Sequence, residues 1–220
     1  MAMAVEPQRS EPAPAGRSAR KRAAILDAAA EVFLERGYVG TSMDDVAARA
    51  GVSKQTIYKH FADKEGLFTA LVLHAVEGVE ARIGTASPVP HDPEDLVPAL
   101  RELAERLHAA IVDPGVLRLR RLVAGEALRF PELGRLYYEQ GFQRGLSTLA
   151  VALEQLSERG LLAIDDPETA AAQFAGLVLW TPANRALFVG DAPDPDPEAP
   201  ARRAAAAVDV FLAAYGTRAE

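Results

Sequence analysis

The sequence predicts an all-α protein in two parts, a small three-helix head followed by a larger helical body. Three observations carry that reading. Apolar residues recur at i, i+3, i+4 and i+7, as on one face of a helix, while runs with strand alternation are missing. Prolines stand at or near the start of the long amphipathic stretches, where a first helical turn tolerates them best. A chain of 220 residues with 49% hydrophobic content can also bury one large core, or one small and one larger one.

Taken in order, Met1 to Gly16 is rich in Pro and Ala without the apolar block of a signal peptide, and reads as a disordered lead-in. Arg20 to Arg36 predicts the first helix, with Ile25, Ala28, Ala29, Val32 and Phe33 as its buried stripe and Gly37 as its stop. A second helix starts at Thr41-Ser42, carries Asp44 and Asp45 in its first turn, and buries Met43, Val46, Ala47 and Ala50. Gly51 ends it by supplying the positive φ of a sharp reversal. Ser53 then caps a third helix that buries Ile57 and Phe61 and leaves Lys54, Gln55, Thr56, Tyr58, Lys59 and His60 to face outward. Two helices joined by a tight turn, the second polar on one side only, make a helix-turn-helix, whose second helix is built to enter a DNA groove.

Asp63 caps a fourth helix running to about Arg82, with Leu67, Phe68, Leu71, Val72, Ala75 and Val76 spread widely enough to face both parts of the chain; it is the expected mechanical link. Pro88, Pro90 and Pro93 break the pattern into a loop over Gly84 to Pro93. Amphipathic stretches follow at about Glu94 to Val112, Pro114 to Arg129, Pro131 to Gly160, Pro167 to Val189 and Pro197 to Tyr215. Gly134, Gly141 and Gly145 weaken the third of these, which predicts two helices or one kinked one, and Pro182 predicts a kink or break in the fourth. The alternating Asp and Pro residues of Gly190 to Glu198 lack the central Gly turn and terminal Glu of a calcium loop, and read as a solvated linker.

Charge supports a nucleic-acid partner through its distribution. The net charge is −7, yet residues 17–61 carry eight basic against five acidic residues, whereas residues 62–220 carry fifteen against twenty-four. A basic head on an acidic body orients the molecule toward DNA by one end. Zero cysteines exclude disulfides, thiol nucleophiles and Cys-based metal sites, and no apolar run is long enough to span a bilayer, so a cytoplasmic location fits and no membrane partner is expected.

On the third helix, Gln55 and Thr56 lie near the N-terminus and are the candidates for base edges, since amide and hydroxyl groups both donate and accept in the major groove. Lys54, Tyr58, Lys59 and His60 are candidates for phosphates, with Tyr58 stacked on the core and His60 as a plain surface residue the structural alternatives. Arg17, Arg20, Lys21 and Arg22 form a basic arm beside them, or an ordinary solvated helix start.

The run from Ala24-Ile25-Leu26-Asp27-Ala28-Ala29 through Phe33, Gly37-Tyr38, Thr41-Ser42-Met43-Asp44-Asp45-Val46-Ala47 and on to Phe61-Ala62-Asp63-Lys64-Glu65-Gly66-Leu67-Phe68 resembles the DNA-binding domain of TetR-family transcriptional regulators. The resemblance implies a backbone-phosphate clamp from Thr41 or Ser42 with Tyr58, His60 and Lys64. It also divides the chain into a tail over 1–16, a DNA-binding domain over 17–66 and a regulatory and dimerisation domain over 67–220. Leu117 to Gly190, with Arg129-Phe130-Pro131-Glu132-Leu133, resembles the regulatory domains of one branch of that family, which respond to small hydrophobic effectors.

The body offers no enzyme machinery. Its histidines are scattered, and the zinc-protease, nucleophile-elbow, dinucleotide and P-loop motifs are all missing, so no cofactor, metal or catalysis is expected. Phe130, Tyr137, Tyr138, Phe142, Gln143, Phe174, Trp180 and Arg185 suggest instead a greasy pocket with sparse polar handles, with His108 a further candidate and plain core the alternative. Residues 169–187 are apolar nearly all round, with Ala170, Ala171, Ala172, Ala175 and Gly176 allowing close approach; with Val208, Val210, Phe211 and Leu212 in 204–214 they suggest a homodimer interface, and the resemblance implies a four-helix contact. Trp180 fits pocket or interface. The expected protein is therefore a homodimeric regulator of a palindromic double-stranded DNA operator, a repressor by family default, released by a small apolar or aromatic effector. Its rivals are a constitutive DNA-binding protein whose body only dimerises, and a helical carrier or enzyme with a decorative head.

Overall fold

The computed structural model describes residues 14–84, 90, 92–190 and 196–217, with side chains from residue 18 onward except Gly84. The chain divides into two compact units between Phe68 and Thr69. Among the described residues there is no strand, only an isolated bridge between Leu162 and Gly216.

The first unit holds α1 (Pro14–Gly40), α2 (Met43–Arg49), α3 (Lys54–His60) and the start of α4 (Lys64–Gly84). Residues 1–13 of the expected lead-in lie outside the described residues, and Pro14 to Gly16 open α1. Gly37 interrupts α1 with φ 71 and ψ 173, the stop expected from its missing Cβ. Ile25, Leu26, Ala29 and Phe33 of α1 are fully buried, as are Val46 and Ile57. An aromatic cluster closes this core: Phe33 stacks on Tyr38 at 5.8 Å between centroids, and the Phe68 ring meets both edge-on at 5.1 and 5.3 Å. Truncating a side chain as buried as Phe33 costs about 3–5 kcal/mol.

Ion pairs fix the angle between these helices. Arg49 bridges α2 back to Glu31 and Glu35 of α1, each at 2.7 Å, and Arg36 reaches Asp45 at 2.6 Å. The hydrogen bond from Arg49 holds the Glu35 carboxyl below the usual range. Gly51, at φ 63, makes the reversal into α3.

The second unit contains the rest of α4 with α5 (Pro93–Ile111), α6 (Pro114–Glu126), α7 (Pro131–Tyr137), a π-helical segment (Tyr138–Gln143), α8 (Arg144–Glu158), α9 (Pro167–Val189) and α10 (Ala199–Tyr215). In the loop expected over 84–93, residues 85–89 and 91 lie outside the described residues, as do residues 191–195 of the linker expected over 190–198. The core is formed chiefly by α5, α8, α9 and α10, with Leu100, Ala104, Leu153, Phe174, Val208 and Phe211 nearly or fully buried. Phe174 meets Phe211 edge-on at 5.0 Å, so Phe174 is core, and its assignment to a pocket is corrected.

Side-chain caps set several of the helix starts. Asp113 accepts from the backbone N–H groups of Gly115 and Val116, and Asp166 from Thr169 at 3.0 Å. The glycine-rich third stretch is three successive elements, because the run widens into π-helical turns at Tyr138 before α8 resumes. Gly134 is closely packed: a Cβ there would stand 3.0 Å from the Cβ of Ala127, which would have to give by a few tenths of an ångström. Helix α9 carries buried Pro182 without interruption, so no break occurs there.

Candidate functional site

Two sites emerge, each within one unit: the outer face of α3 and a cavity in the body. Ser53 caps α3 by accepting from the Thr56 N–H at 3.2 Å, and burial of Ile57 and Phe61 turns the opposite face outward. Gln55, Tyr58 and Lys59 are exposed on that face, Tyr58 at 45%, and their polar ends make no hydrogen bond among the described residues. The His60 ring is half-buried, 6.2 Å from the Phe61 ring. Arg20 and Lys21 are exposed, and the guanidinium of Arg22 lies 5.5 Å from the Phe61 ring centroid.

The remaining sequence-predicted residues are already engaged. Lys54 pairs with Asp44 of α2 at 2.8 Å, and that hydrogen bond raises the affinity of its amine for the proton. The hydroxyls of Thr56 and Ser53 share a hydrogen bond of 2.8 Å. Ser42 forms a reciprocal cap with Asp45: its hydroxyl and backbone N–H donate to the carboxylate at 2.6 and 3.1 Å, and it accepts from the Asp45 N–H at 3.2 Å.

Thr41 and Lys64, expected in the phosphate clamp, are both engaged within the head. Thr41 is 3% exposed, and its hydroxyl turns inward to the carbonyl of Gly37 at 2.8 Å and that of Val32 at 3.3 Å. Lys64 donates from Nζ to the carbonyls of Tyr38, Val39 and Thr41 at 2.9, 3.4 and 3.1 Å. Tyr38 and Val39 stand in the last turn of α1, where backbone carbonyls run out of intrahelical donors, and this ammonium satisfies them.

The body holds a cavity of about 670 Å³ between α4, the end of α5, α6, α7, the π-helical segment, α8 and α9. Val76, Val79, Ile83, Ile111, Val123 and Leu179 contribute to its apolar wall. Tyr137, Tyr138, Phe142 and Trp180 line it, and the rings of Tyr138 and Phe142 stack at 5.4 Å. Tyr138 and Phe142 are about half exposed and Trp180 is 73% exposed, so one side of the wall is open to solvent.

His108, Phe130 and Gln143 correct the pocket prediction, because none of them lines the cavity. His108 sits on α5, Phe130 precedes the first turn of α7 under Arg129, and Gln143 is exposed at the end of the π-helical segment. Sequence reasoning missed the contribution of α4 and two charged residues at the cavity, Glu80 and Arg120. Glu80 is tied to Arg144 by two hydrogen bonds of 2.6 and 2.7 Å. The i, i+3, i+7 spacing of Val76, Val79 and Ile83 along α4 is the available signal.

The alanines of α9 are divided between its faces. Ala170 and Ala171 are fully buried in the body's own core and Ala175 packs against it, so the expectation that these three admit a second chain is corrected. Leu177, Phe188 and Val189 of α9 and Val210 of α10 are exposed instead.

A helix-turn-helix in one unit and an all-helical second unit define a class of DNA-binding regulator. The comparisons with known proteins agree. Residues 25–71 match the profile described as bacterial regulatory proteins, tetR family, and residues 98–217 match that of the AefR-like transcriptional repressor C-terminal domain. The chain belongs to the TetR family of DNA-binding transcriptional regulators, a non-enzymatic family.

A TetR-family regulator from Mesorhizobium loti is 41% identical, with a TM-score of 0.79 over 91% of this chain and 99% of that one. The flavonoid-responsive regulator FrrA is 35% identical, with a TM-score of 0.75 over 91% and 100% of the two chains. The transcriptional activator FasR of Mycolicibacterium smegmatis is 38% identical over 87 residues, 36% of this chain and 40% of FasR. The chain thus spans well under two thirds of that curated relative. Among the described residues no helix is long and apolar enough to cross a membrane, and no cluster of side chains is arranged to hold a metal.

Proposed function

We propose that this chain is a sequence-specific, homodimeric repressor in the cytoplasm that leaves a palindromic DNA operator when a small apolar or aromatic effector fills the body cavity. The observation that carries the reading is the cavity of about 670 Å³, within the range of small-molecule sites and walled mainly by apolar side chains, in a chain whose other unit carries an outward-facing α3. A body that only dimerised would have no use for it.

The match to an AefR-like repressor domain supports the negative sign of regulation, and the likeness to a flavonoid-responsive regulator supports an aromatic effector. The exposed apolar side chains of α9 and α10 support self-association, since large apolar side chains left in water gain from cover. In this reading Gln55 and Thr56 read base edges, with Thr56 exchanging its bond to Ser53 for one to DNA. Tyr58, Lys59, His60, Ser42 and Lys54 hold phosphates, and Lys54 leaves Asp44 to do so. Helix α4, covalently shared by the two units, carries the effector signal. An effector acts only by its differential affinity for the two states of the dimer.

Selection of bound sequences from a random DNA pool by the purified protein tests this. A dyad-symmetric motif is expected, with half-sites about one DNA turn, or a multiple of it, apart. A flavonoid and aromatic-acid panel is then screened for release of that motif. Failure to enrich any motif, or cavity binders that never alter operator affinity, would overturn the reading.

A further inference from the structure

Arg120 is the one charged side chain lining the body cavity that has no charged partner among the described residues. It lies on α6, is half-buried, and forms no hydrogen bond or ion pair there. Its neighbours on the same helix are committed: Arg118 donates to the carbonyl of Pro114, and Arg121 to that of Ala186. Glu80, which also lines the cavity, spends both carboxylate oxygens on Arg144. The cavity is therefore left with one uncompensated positive charge.

Tyr137 lines the same cavity, and its hydroxyl has no hydrogen-bond partner among the described residues. Burial pushes its phenol above the ordinary range, with the charge of Arg120 acting on it in the opposite direction, so at neutral pH it is a protonated donor. Guanidinium and phenol both offer N–H or O–H, and neither is met by an acceptor. An unpaired cation against apolar walls is costly until an anion arrives. The planar fork of Arg matches the two oxygens of a carboxylate, and charge-assisted bonds of this kind are about twice as strong as neutral ones.

We propose that the effector is an apolar, mainly aromatic molecule carrying a single carboxylate, seated with that group on Arg120 and Tyr137 and its body against Val76, Val79, Ile83 and Leu179. This rests on the reading of the cavity as an effector site and adds a chemical class to it. Tyr138, Phe142 and Trp180, at the open side, supply faces on which rings stack.

The test is a calorimetric titration of the full chain with matched pairs of probes: naphthalene-2-carboxylate, biphenyl-4-carboxylate and decanoate, each against its primary carboxamide, together with the neutral flavonoid naringenin. At least one acid should bind about tenfold or more tighter than its amide, the loss that one well-made charged contact represents. In Arg120→Leu that preference should vanish while the amide keeps its affinity, and Arg120→Lys should restore part of it. Tyr137→Phe should weaken the acid more than the amide. If neutral probes bind and no acid is preferred, or if the preference survives Arg120→Leu, the carboxylate assignment falls and the effector site stands. If no probe binds the unmodified chain, the effector-site reading fails and takes the assignment with it. The comparison of acid with amide on the unmodified chain needs no variant to fold.

Discussion

The ammonium of Lys64 donates to the backbone carbonyl of Tyr38 at 2.9 Å and stands 4.7 Å above the centre of the same residue's ring. One side chain at the start of α4 thus closes the carbonyl end of α1 and packs on the aromatic cluster of the head. Lys64→Met keeps the stem and removes the charge. The expected result is a head less stable by about 1.5–3 kcal/mol, the worth of hydrogen bonds to a charged group. Urea unfolding of the full chain, followed by tryptophan-independent signals such as circular dichroism, reads it. Unchanged stability with a lower salt dependence of DNA binding would return Lys64 to a phosphate role.

The outer face of α3 holds side chains with different obligations. Among the described residues Gln55 and Lys59 make no side-chain hydrogen bond or ion pair, so their substitution should act mainly on DNA binding. Gln55→Ala should cost about 1–3 kcal/mol on the operator and relax preference at particular base pairs. Lys59→Ala should weaken operator and random DNA alike and lower the salt slope by about one unit. Lys54 must first leave Asp44, so Asp44→Asn should strengthen binding to all sequences. Equal losses on operator and random DNA for Gln55→Ala would overturn this division of labour.

The head was legible in the sequence because its determinants are local. Gly37 and Gly51 adopt the positive φ their places required, Ser42 and Ser53 cap the helices they precede, and Ile57 and Phe61 are buried where the period put them. What sequence spacing does not encode is which exposed group finds a partner across helices. Lys54 with Asp44, and Lys64 with the carbonyls of α1, join residues at least ten positions apart. The cavity illustrates the same limit. Tyr137, Tyr138, Phe142 and Trp180 line it, but Arg120 and Val79 could only be added once α4 and α6 had been placed beside them. The π-helical turns were foreshadowed only as weakness at Gly134, Gly141 and Gly145.

The reciprocal cap between Ser42 and Asp45 ties head stability to pH. Its hydrogen bond to Ser42, with further help from Arg36, holds the Asp45 carboxyl below the usual carboxylate range. A carboxyl whose folded pKa is depressed contributes stability that is present above its unfolded value, about 3.9, and is lost as pH falls through the folded one. Asp45→Asn should therefore lower the melting temperature at pH 7, and the gap to the unmodified chain should close as pH drops below about 4. Ser42→Ala removes the partner hydroxyl and should cost about 0.5–2 kcal/mol at neutral pH. A melting-temperature gap that stays constant down to pH 3 would assign the effect of Asp45 to something other than its charge.

Helix α9 separates two kinds of outcome by face. Ala171 is fully buried in the body's own core, whereas Leu177, less than two turns further along, is 42% exposed, and Val210 of α10 is 56% exposed. If α9 and α10 form the surface on which two copies meet, Leu177→Arg together with Val210→Arg should place like charges across a two-fold axis, because an isologous contact repeats each substitution on both sides. The doubly substituted chain should stay helical, run as a monomer in light scattering at micromolar concentration, and lose operator affinity while retaining weak binding to DNA of any sequence. Ala171→Arg buries a charge without a partner and should instead unfold the body, at a cost of about 4 kcal/mol or more. A folded dimer from the double variant would move the interface away from this face of α9 and α10. A folded monomer that still binds a single half-site as tightly as the unmodified chain binds its operator would remove the need for a dimer altogether.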